Sequence, residues 1–175
     1  MTSDSLITVR TSAPSSGAPL DRSLPIAIRK ALMTDVAPML GLINGYAAKA
    51  IMLPRTEFEM AENIRDFTVA DAAGRIVGCV ALHFYTPDSA EVRSLAVDPA
   101  AQGLGLGRRL VEAVVEEAAR HSLKTLFAFT YVPEFFAKLG FIVVDRAELP
   151  LKAWKDCLRC PKFQACDEIA MIRVL

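Results

Sequence analysis

Long hydrophobic runs, an excess of charge of one sign and a dense set of cysteines are all missing from this sequence of 175 residues. No apolar run is long enough to span a bilayer, and the first residues lack the apolar core of a secretory signal. Lysine plus arginine number 20, as do aspartate plus glutamate, so no overall field would attract nucleic acid or an anionic membrane. We therefore expect a cytoplasmic protein that binds neither of them and recognises its ligands through local charge.

Length and composition predict one domain. At 175 residues, 53% of them hydrophobic, the chain can bury one core and is too short for two ordinary domains. Residues 1–24 are rich in Ser, Pro, Ala and Thr and have no periodicity, which predicts a flexible leader. Residues 25–175 would then form a single domain that includes a cysteine-containing C-terminal tail at 146–175. The oligomeric state is not specified, so a homodimer stays open.

Hydrophobic periodicity predicts an alternation of strands and helices after the leader. The predicted strands cover residues 25–30, 67–72, 75–85, 91–97, 124–130, 141–145 and 169–174. The predicted helices run from Thr34-Asp35 to about 46, from the Thr56-x-x-Glu59 capping box to about 65, from 105 to 121 and from 133 to 139. The predicted order is β-α-α-β-β-β-α-β-α-β, with a last strand in the tail.

A glycine-rich turn joins the strand at 91–97 to the longest predicted helix. It reads Gln102-Gly-Leu-Gly-Leu-Gly107 and is followed by Arg108 and Arg109. Glycines allow successive backbone N–H groups to point into one concavity, and the start of a helix adds the positive end of its dipole. The two arginines add full charge. This combination predicts a pyrophosphate site, although the same glycines would also suit a helix that only packs closely.

The spacing of the turn discriminates among the families that cradle phosphates. A Walker loop needs Lys-Ser/Thr after its last glycine and the dinucleotide fingerprint needs G-x-G-x-x-G, whereas this turn reads G-x-G-x-G followed by arginine. The pattern Gln102-x-x-Gly105-x-Gly107 instead resembles the acyl-CoA loop, Q/R-x-x-G-x-G/A, of the GCN5-related N-acetyltransferase (GNAT) superfamily. The predicted order of elements from residue 25 onward is also similar to that of the superfamily.

The resemblance implies an α/β (α+β) fold of the GNAT acyl-CoA N-acyltransferase type, with a mixed central sheet whose splayed strands are flanked by helices. It also implies an N-acetyltransferase that uses acetyl-CoA as co-substrate and requires no metal for catalysis. In such enzymes the pantetheine arm pairs with the strand before the loop, which splays from the strand after the following helix. The acyl-CoA-binding residues implied here are Leu95, Ala96, Val97, Gln102, Gly103, Leu104, Gly105, Leu106, Gly107 and Arg108.

Two catalytic residues follow from the resemblance and from the chemistry of acetyl transfer. The acceptor amine must lose a proton, and Glu91 occupies the position at which histone-acetyltransferase relatives carry their catalytic glutamate. The leaving thiolate needs a proton, but the F-Y-x-x-x-G-F pattern of many relatives has Phe136 where the tyrosine is expected. Tyr131 is the nearest substitute, and release of the thiolate to water is the alternative. Glu91 could equally face solvent, and Tyr131 could equally be a packing residue.

Several segments resemble a narrower group, the short single-domain bacterial N-acetylglutamate synthases. These segments are Leu53-Pro-Arg55, Asn63-Ile-Arg-Asp-Phe67, Glu91-Val-Arg-Ser-Leu-Ala-Val97, Thr130-Tyr-Val-Pro-Glu-Phe-Phe136 and Trp154-Lys-Asp-Cys157. The resemblance implies transfer of acetyl to the α-amino group of L-glutamate, the first step of arginine biosynthesis. A dicarboxylate needs two cationic clamps, for which Arg55 and Arg93 are the candidates, with Lys49 behind them.

Other functions stay open at this point. The enzyme could acetylate another small amine or a protein amine, because each arginine alone could be a surface charge or part of an internal ion pair. The missing tyrosine at Phe136 also leaves room for an acyl-CoA-sensing module without turnover.

The four cysteines are expected to be reduced thiols or metal ligands, not a disulfide framework. Cys157, Cys160 and Cys166 lie close together in the tail and offer three soft ligands, enough for a structural zinc if a fourth residue completes the set. The alternative is a reduced cluster in which Cys157 and Cys160 are able to oxidise. Cys79 lies in an apolar strand and is expected in the core.

Overall fold

The computed structural model of the chain describes residues 20–149, 158, 160, 162 and 165–175. Most of the predicted leader therefore lies outside the described residues, as do Cys157 and part of the predicted tail. None of the helices in the described ranges is long and apolar enough to cross a membrane.

The described residues form one mixed sheet with helices packed on it. Its strands are β1 (Ile26–Lys30), β2 (Phe67–Ala72), β3 (Arg75–Thr86), β4 (Ser89–Val97), β5 (Thr125–Thr130), β6 (Ile142–Val143) and β7 (Ile169–Val174). The helices are α1 (Val36–Ala47), α2 (Glu57–Glu62), α3 (Leu106–Arg120) and α4 (Pro133–Ala137). The strand order is β1-β2-β3-β4-β5-β7-β6, and every neighbouring pair is antiparallel except β4 and β5. This arrangement confirms the predicted fold class.

Helix α3 packs on the sheet through the residues that its periodicity predicts. Leu106, Leu110, Val114 and Ala118 are all buried, and they share a core cluster with residues of β3, β4 and β5. Full burial of a Leu or Val side chain is worth about 1.5–3 kcal/mol. Because these contacts begin at the first residue of α3, they anchor the glycine-rich turn that precedes it.

Helix α1 covers the opposite face of the sheet. Side chains alternate along a strand, so Val80 and Leu82 of β3 join the cluster under α3, whereas Cys79 and Ala81 join the cluster under α1. Cys79 is fully buried there, which confirms its predicted place in the core.

The residue before α1 forms an ion pair and does not cap the helix with its side chain. The sequence predicts a cap at Thr34-Asp35, but Met33–Asp35 form a 3-10 turn and the Asp35 carboxylate accepts the backbone N–H of Leu32. The same carboxylate lies 2.6 Å from the guanidinium of Arg29 on β1, whose hydrogen bonds hold the pKa of Asp35 below its ordinary value. The turn is thus tied to the edge strand.

Several predicted elements are shorter than expected, and α4, predicted to reach residue 139, ends at Ala137. Helix α2 opens with the predicted capping box of Thr56 and Glu59 but ends at Glu62, because a 3-10 turn at Ile64–Asp66 leads into β2. The strand predicted at 141–145 is wrong at its ends, since only Ile142–Val143 pair with β7. The chain leaves the ladder there, and the Asp145 side chain caps a further 3-10 turn.

Candidate active site

Strands β4 and β5 pair over their first three residues and then separate. Their parallel pairing runs from Ser89 opposite Thr125 to Glu91 opposite Phe127. Beyond Glu91, β4 continues against β3, while β5 continues against β7 as far as Thr130. The two strands therefore leave a wedge between them, and the predicted acyl-CoA residues Leu95, Ala96 and Val97 lie on the β4 side of it.

A β-bulge bends β4 beside this wedge. Ser94 and Leu95 together face a single residue of β3, and Ser94 has a φ of 54°. That left-handed conformation costs a non-glycine residue about 1–2 kcal/mol. Bulges are common next to active sites because they redirect the groups on a strand. Beneath this one, burial raises the pKa of the Cys79 thiol to about 12, so the group that contacts the Ser94 carbonyl stays a neutral thiol.

The glycine-rich turn is held in a conformation that requires glycine. Gly103 and Gly105 have φ values of 82° and 70°, and Gly105 is the residue immediately before α3. A Cβ built on either glycine would have no atom within 4 Å, so the backbone conformation, and not crowding, demands glycine there. The space beside the turn is open. The first N–H groups of α3 lie at this end of the helix and have no intrahelical partners.

The last glycine of the turn and the two arginines after it are placed by packing and hydrogen bonds. A Cβ on Gly107 would lie 3.4 Å from the ring of Phe135, so this glycine allows α4 to pack against the first turn of α3. Arg108 is exposed and pairs with Glu112 one turn along the helix, at 2.8 Å. Arg109 donates to the Ile26 carbonyl at 2.6 Å and so ties α3 to β1. Arg108 is therefore the arginine that remains at the open face of the turn.

Gln102 links the turn to helix α1. Its amide donates to the hydroxyl of Tyr46 at 3.0 Å, and that hydroxyl donates to the carbonyl of Val97 at 2.6 Å. Tyr46 therefore positions both the last residue of β4 and the first residue of the turn. No motif in the sequence pointed to Tyr46.

One cavity brings together the predicted catalytic residues and both arginines predicted to bind the acceptor. This splay cavity has a volume of about 200 Å³ and is lined by residues of the loop 51–55, of β4 from 91 to 95, of 129–132, and by Phe136 and Glu168. Glu91, Arg93, Arg55 and Tyr131 are among them. Lys49 does not line the cavity; it is exposed, and its ammonium lies 5.7 Å from the centre of the Tyr46 ring.

Helix α1 holds the loop that carries Arg55. The side-chain amide of Asn44 donates to the Arg55 carbonyl at 3.0 Å, and its oxygen accepts the Arg55 backbone N–H at 2.9 Å. The next residue, Thr56, is the cap of α2. Arg55 is thus fixed at its backbone between two helices. Asn44 was not expected from the sequence, because a lone asparagine in a helix carries no such signal.

Tyr131 connects the end of β5 to the tail. Its hydroxyl donates to the Asp167 carboxylate at 2.9 Å and accepts from the Lys162 ammonium at 3.1 Å. Burial raises the pKa of Tyr131, whereas the hydrogen bond from Lys162 acts in the opposite direction. The hydrogen bond to Tyr131 also raises the pKa of Lys162, so at neutral pH a phenol faces the cavity with an ammonium group behind it.

A second cavity adjoins the first on the side of the tail. This tail cavity has a volume of about 250 Å³ and shares Ile51–Leu53, Phe129, Tyr131 and Glu168 with the splay cavity. Burial raises the pKa of Glu168, whereas the positive charges of Arg146 and Lys162 act in the opposite direction. Glu168 is thus a second carboxylate at the site, and no motif pointed to it beyond its place just before the last strand.

The described tail cysteines line the tail cavity. Cys160 and Cys166 are free thiols, and the Cys160 sulfur accepts the backbone N–H of Lys162 at 3.4 Å. No group of three His, Cys, Asp or Glu residues with the geometry of a metal site occurs among the described residues. Because Cys157 lies outside them, the three-cysteine zinc site stays a prediction.

Phe136 occupies a wall of the splay cavity. It is buried and makes edge-on ring contacts with Phe135 and Phe141, with centroids 5.2 Å apart in both cases. The position at which many relatives carry a tyrosine therefore presents an apolar ring. The tyrosine that lines this cavity is Tyr131, and not residue 136.

Comparisons with known proteins identify the family of the chain. The family model of the acetyltransferase (GNAT) domain matches residues 63–143, which include β2 to β6 and the whole glycine-rich turn. The chain is 40% identical to an uncharacterized N-acetyltransferase of Chlorobaculum tepidum over 85% of this chain and 96% of that protein. It is 33% identical to an amino-acid acetyltransferase of Mycobacterium tuberculosis over 75% of this chain and 77% of that protein.

Solved structures with the same fold include two that contain CoA. N-acetylglutamate synthase from Neisseria gonorrhoeae, complexed with coenzyme A and N-acetyl-glutamate, matches 86% of this chain with a TM-score of 0.79 and 29% identity. This chain corresponds to 35% of that longer one. A Mycobacterium tuberculosis protein solved in complex with CoA matches 85% of this chain and 99% of its own, with a TM-score of 0.74 and 30% identity. The chain therefore belongs to the GNAT family and is an acetyl-CoA-dependent N-acetyltransferase.

Proposed function

We propose that this enzyme transfers the acetyl group of acetyl-CoA to the α-amino group of L-glutamate and so opens arginine biosynthesis. The observation that carries the proposal is the meeting of Glu91, Arg55 and Arg93 in one cavity, at the point where β4 and β5 separate. The relatives named amino-acid acetyltransferases support an amino acid as the acceptor. The synthase that was solved with N-acetyl-glutamate supports glutamate in particular.

The acyl-CoA side of the site fits the co-substrate. The open space at Gly103 and Gly105 and the unpaired N–H groups at the start of α3 suit a pyrophosphate, with Arg108 beside them. The wedge next to Leu95, Ala96 and Val97 leaves backbone groups of β4 for the pantetheine arm. These contacts would bring the thioester to the splay cavity.

The acceptor side fits a dicarboxylic amino acid. Arg55 and Arg93 reach the cavity from a loop and from a strand, so they can hold two carboxylates that are separated by a short side chain. A guanidinium binds a carboxylate through two parallel hydrogen bonds, which fixes orientation as well as position. The α-amino group would then lie near Glu91 in the same cavity.

The chain supplies two groups for the proton transfers. The amine nitrogen attacks the thioester carbonyl carbon, the C–N bond forms and the C–S bond breaks, and CoA leaves as a thiolate. Glu91 accepts the proton that the amine must lose. Tyr131 faces the cavity and can donate a proton to the thiolate, and the Lys162 ammonium on its hydroxyl can replace that proton.

A panel of acceptors tests the proposal. Purified protein is mixed with acetyl-CoA and with glutamate, glutamine, aspartate or a peptide with a free N-terminus, and release of the CoA thiol is followed after subtraction of the protein thiols. We expect strong turnover with glutamate. Turnover confined to the peptide or to another amino acid would overturn the glutamate assignment and leave the acetyltransferase assignment intact.

A further inference from the structure

The sheet surface beside Glu91 carries a tyrosine that the mechanism above does not use. We propose that Tyr85 is a positioning residue, which holds the Glu91 carboxylate ionised and oriented so that it can accept the proton of the acceptor amine. The inference rests on the proposed role of Glu91. It does not depend on which amine is the acceptor.

Tyr85 lies beside Glu91 at an irregularity in the strand pairing. His83 of β3 pairs directly with Glu91 of β4, and Tyr85 lies two residues farther along β3, where the register shifts between Phe84 and Thr86. The Tyr85 hydroxyl donates to a carboxylate oxygen of Glu91 at 3.1 Å. On the other side of Glu91, the paired residue of β5 is Phe127. Glu91 thus lies between an aromatic side chain of β5 and the donor from β3.

Packing fixes the hydroxyl of Tyr85 in place. Tyr85 is only 8% exposed and shares a small buried cluster with Phe127, Leu149 and Ala170. Its ring lies 5.4 Å from that of Phe127 and meets the ring of His83 edge-on at 5.1 Å. A tyrosine has two side-chain torsions to fix, so a ring held on both sides leaves its hydroxyl little freedom. The donor is therefore already in position before the substrates bind.

A hydrogen bond between His83 and Asp66 supports the Tyr85 ring from behind. Nδ1 of His83 lies 2.6 Å from the Asp66 carboxylate, in the 3-10 turn before β2. This contact fixes the orientation of the imidazole that rests on the Tyr85 ring. One continuous series of contacts then runs from the 3-10 turn before β2 into the splay cavity, through Asp66, His83, Tyr85 and Glu91.

A phenol that donates a hydrogen bond to a carboxylate stabilises the ionised carboxylate, which is the form that can act as a base. Aromatic surroundings act in the opposite direction, because removal of water disfavours the charge. The other titratable or charged groups that face Glu91 or line its cavity are His83 from β3, Arg93 from β4, Arg55 from the loop before α2, Tyr131 after β5 and Glu168 before β7. Tyr85 differs from these residues because its hydroxyl contacts the carboxylate from a buried, fixed ring.

Tyr85→Phe removes the donor and keeps the ring. We expect the acidic limb of the pH profile of kcat/KM to move to higher pH by roughly one unit, and kcat at neutral pH to fall by roughly tenfold. The KM for acetyl-CoA should stay the same. In the Glu91→Gln background the same substitution should cost little, because its partner carboxylate is gone.

A direct titration covers the case of weak turnover. Protein labelled with ¹³C in its glutamate carboxyl groups is titrated by NMR, with the Glu91 signal assigned from its loss in Glu91→Gln. Tyr85→Phe should raise the midpoint of that signal. An unmoved midpoint, or an equal loss of activity in the Glu91→Gln background, would overturn the inference. Full activity of Glu91→Gln itself would instead show that the proposed role of Glu91 is wrong.

Discussion

The two sides of the proposed active site are assembled in different ways. The proposed acyl-CoA side is one continuous stretch, from the bulge in β4 through the glycine-rich turn to the first turn of α3, and it offers mainly backbone groups. The proposed acceptor side is made of side chains from five separated segments, which are the loop 51–55, β4, the end of β5, α4 and the tail. A backbone site tolerates many side chains, whereas a side-chain site depends on each one. Substitutions should therefore affect the two sides unequally.

The largest effect is expected at Glu91, the proposed base. Glu91→Gln keeps the size of the side chain and removes the base, so kcat should fall by about 10²–10⁴-fold while both KM values change little. Initial rates of CoA release with each substrate varied in turn measure this. Glu116→Gln, on the exposed surface of α3, is the matched control. A loss of less than about tenfold would point to water, or to Glu168, as the proton acceptor.

The second-largest effects are expected from substitution of an arginine on each side, and each should change the KM for one substrate. Arg55→Ala should raise the KM for glutamate by roughly 10–100-fold, because a charge-assisted pair with a carboxylate is lost, and should leave the KM for acetyl-CoA unchanged. Arg108→Ala should do the reverse and by only a few-fold, since this arginine is exposed. Arg120→Ala, in the exposed last turn of α3, is the control for loss of charge. If both variants altered only the KM for acetyl-CoA, the acceptor assignment would be wrong.

The two sides also differ in how much of each can be predicted from the sequence. Strand, turn and helix are neighbours in the chain on the acyl-CoA side, so periodicity and glycine spacing predicted α3 and placed Gly105 at its start. On the acceptor side, motif resemblance pointed to Arg55, Arg93, Glu91 and Tyr131, and the fold places them in one cavity. That convergence depends on the strand order, which spacing along the chain does not contain.

The residues that the sequence did not reveal are those that act through long-range contacts. Tyr46 meets Gln102 across 56 positions, and Asn44 holds Arg55 through its backbone. Glu168 reaches the cavity only because β7 inserts between β5 and β6. Lys49 shows the opposite case, since it is near Arg55 in sequence but lies outside the cavity.

A smaller effect tests the backbone character of the acyl-CoA side. Gly105→Ala places a Cβ at a φ of 70°, where the cost is conformational and about 1–2 kcal/mol. We expect the KM for acetyl-CoA to rise by about tenfold or less as the turn shifts to relieve the strain, with the KM for glutamate unchanged. Gly41→Ala, in the middle of α1 with open space around it, is the control and should stabilise the protein slightly. An equal rise in both KM values would mean that the two sides are not separable.

The smallest effect concerns stability and arises on the acceptor side. Burial raises the pKa of Glu168 above its value in the unfolded chain, so the folded protein is penalised for ionising this group. Below the pKa of Glu168 in the unfolded chain, the residue is protonated in both states and there is no penalty. The penalty grows as the pH rises from that pKa to the pKa in the folded protein, and it is constant above the latter.

A glutamine at this position is neutral at every pH. Glu168→Gln should therefore match the wild type in thermal stability at low pH and exceed it by no more than a few degrees near neutrality. Thermal unfolding across that pH range measures the difference, and an advantage equal at every pH would rule out this cause. If the stabilised variant also loses activity, the carboxylate is kept in the cavity for function at a cost in stability, as a site built from converging side chains requires.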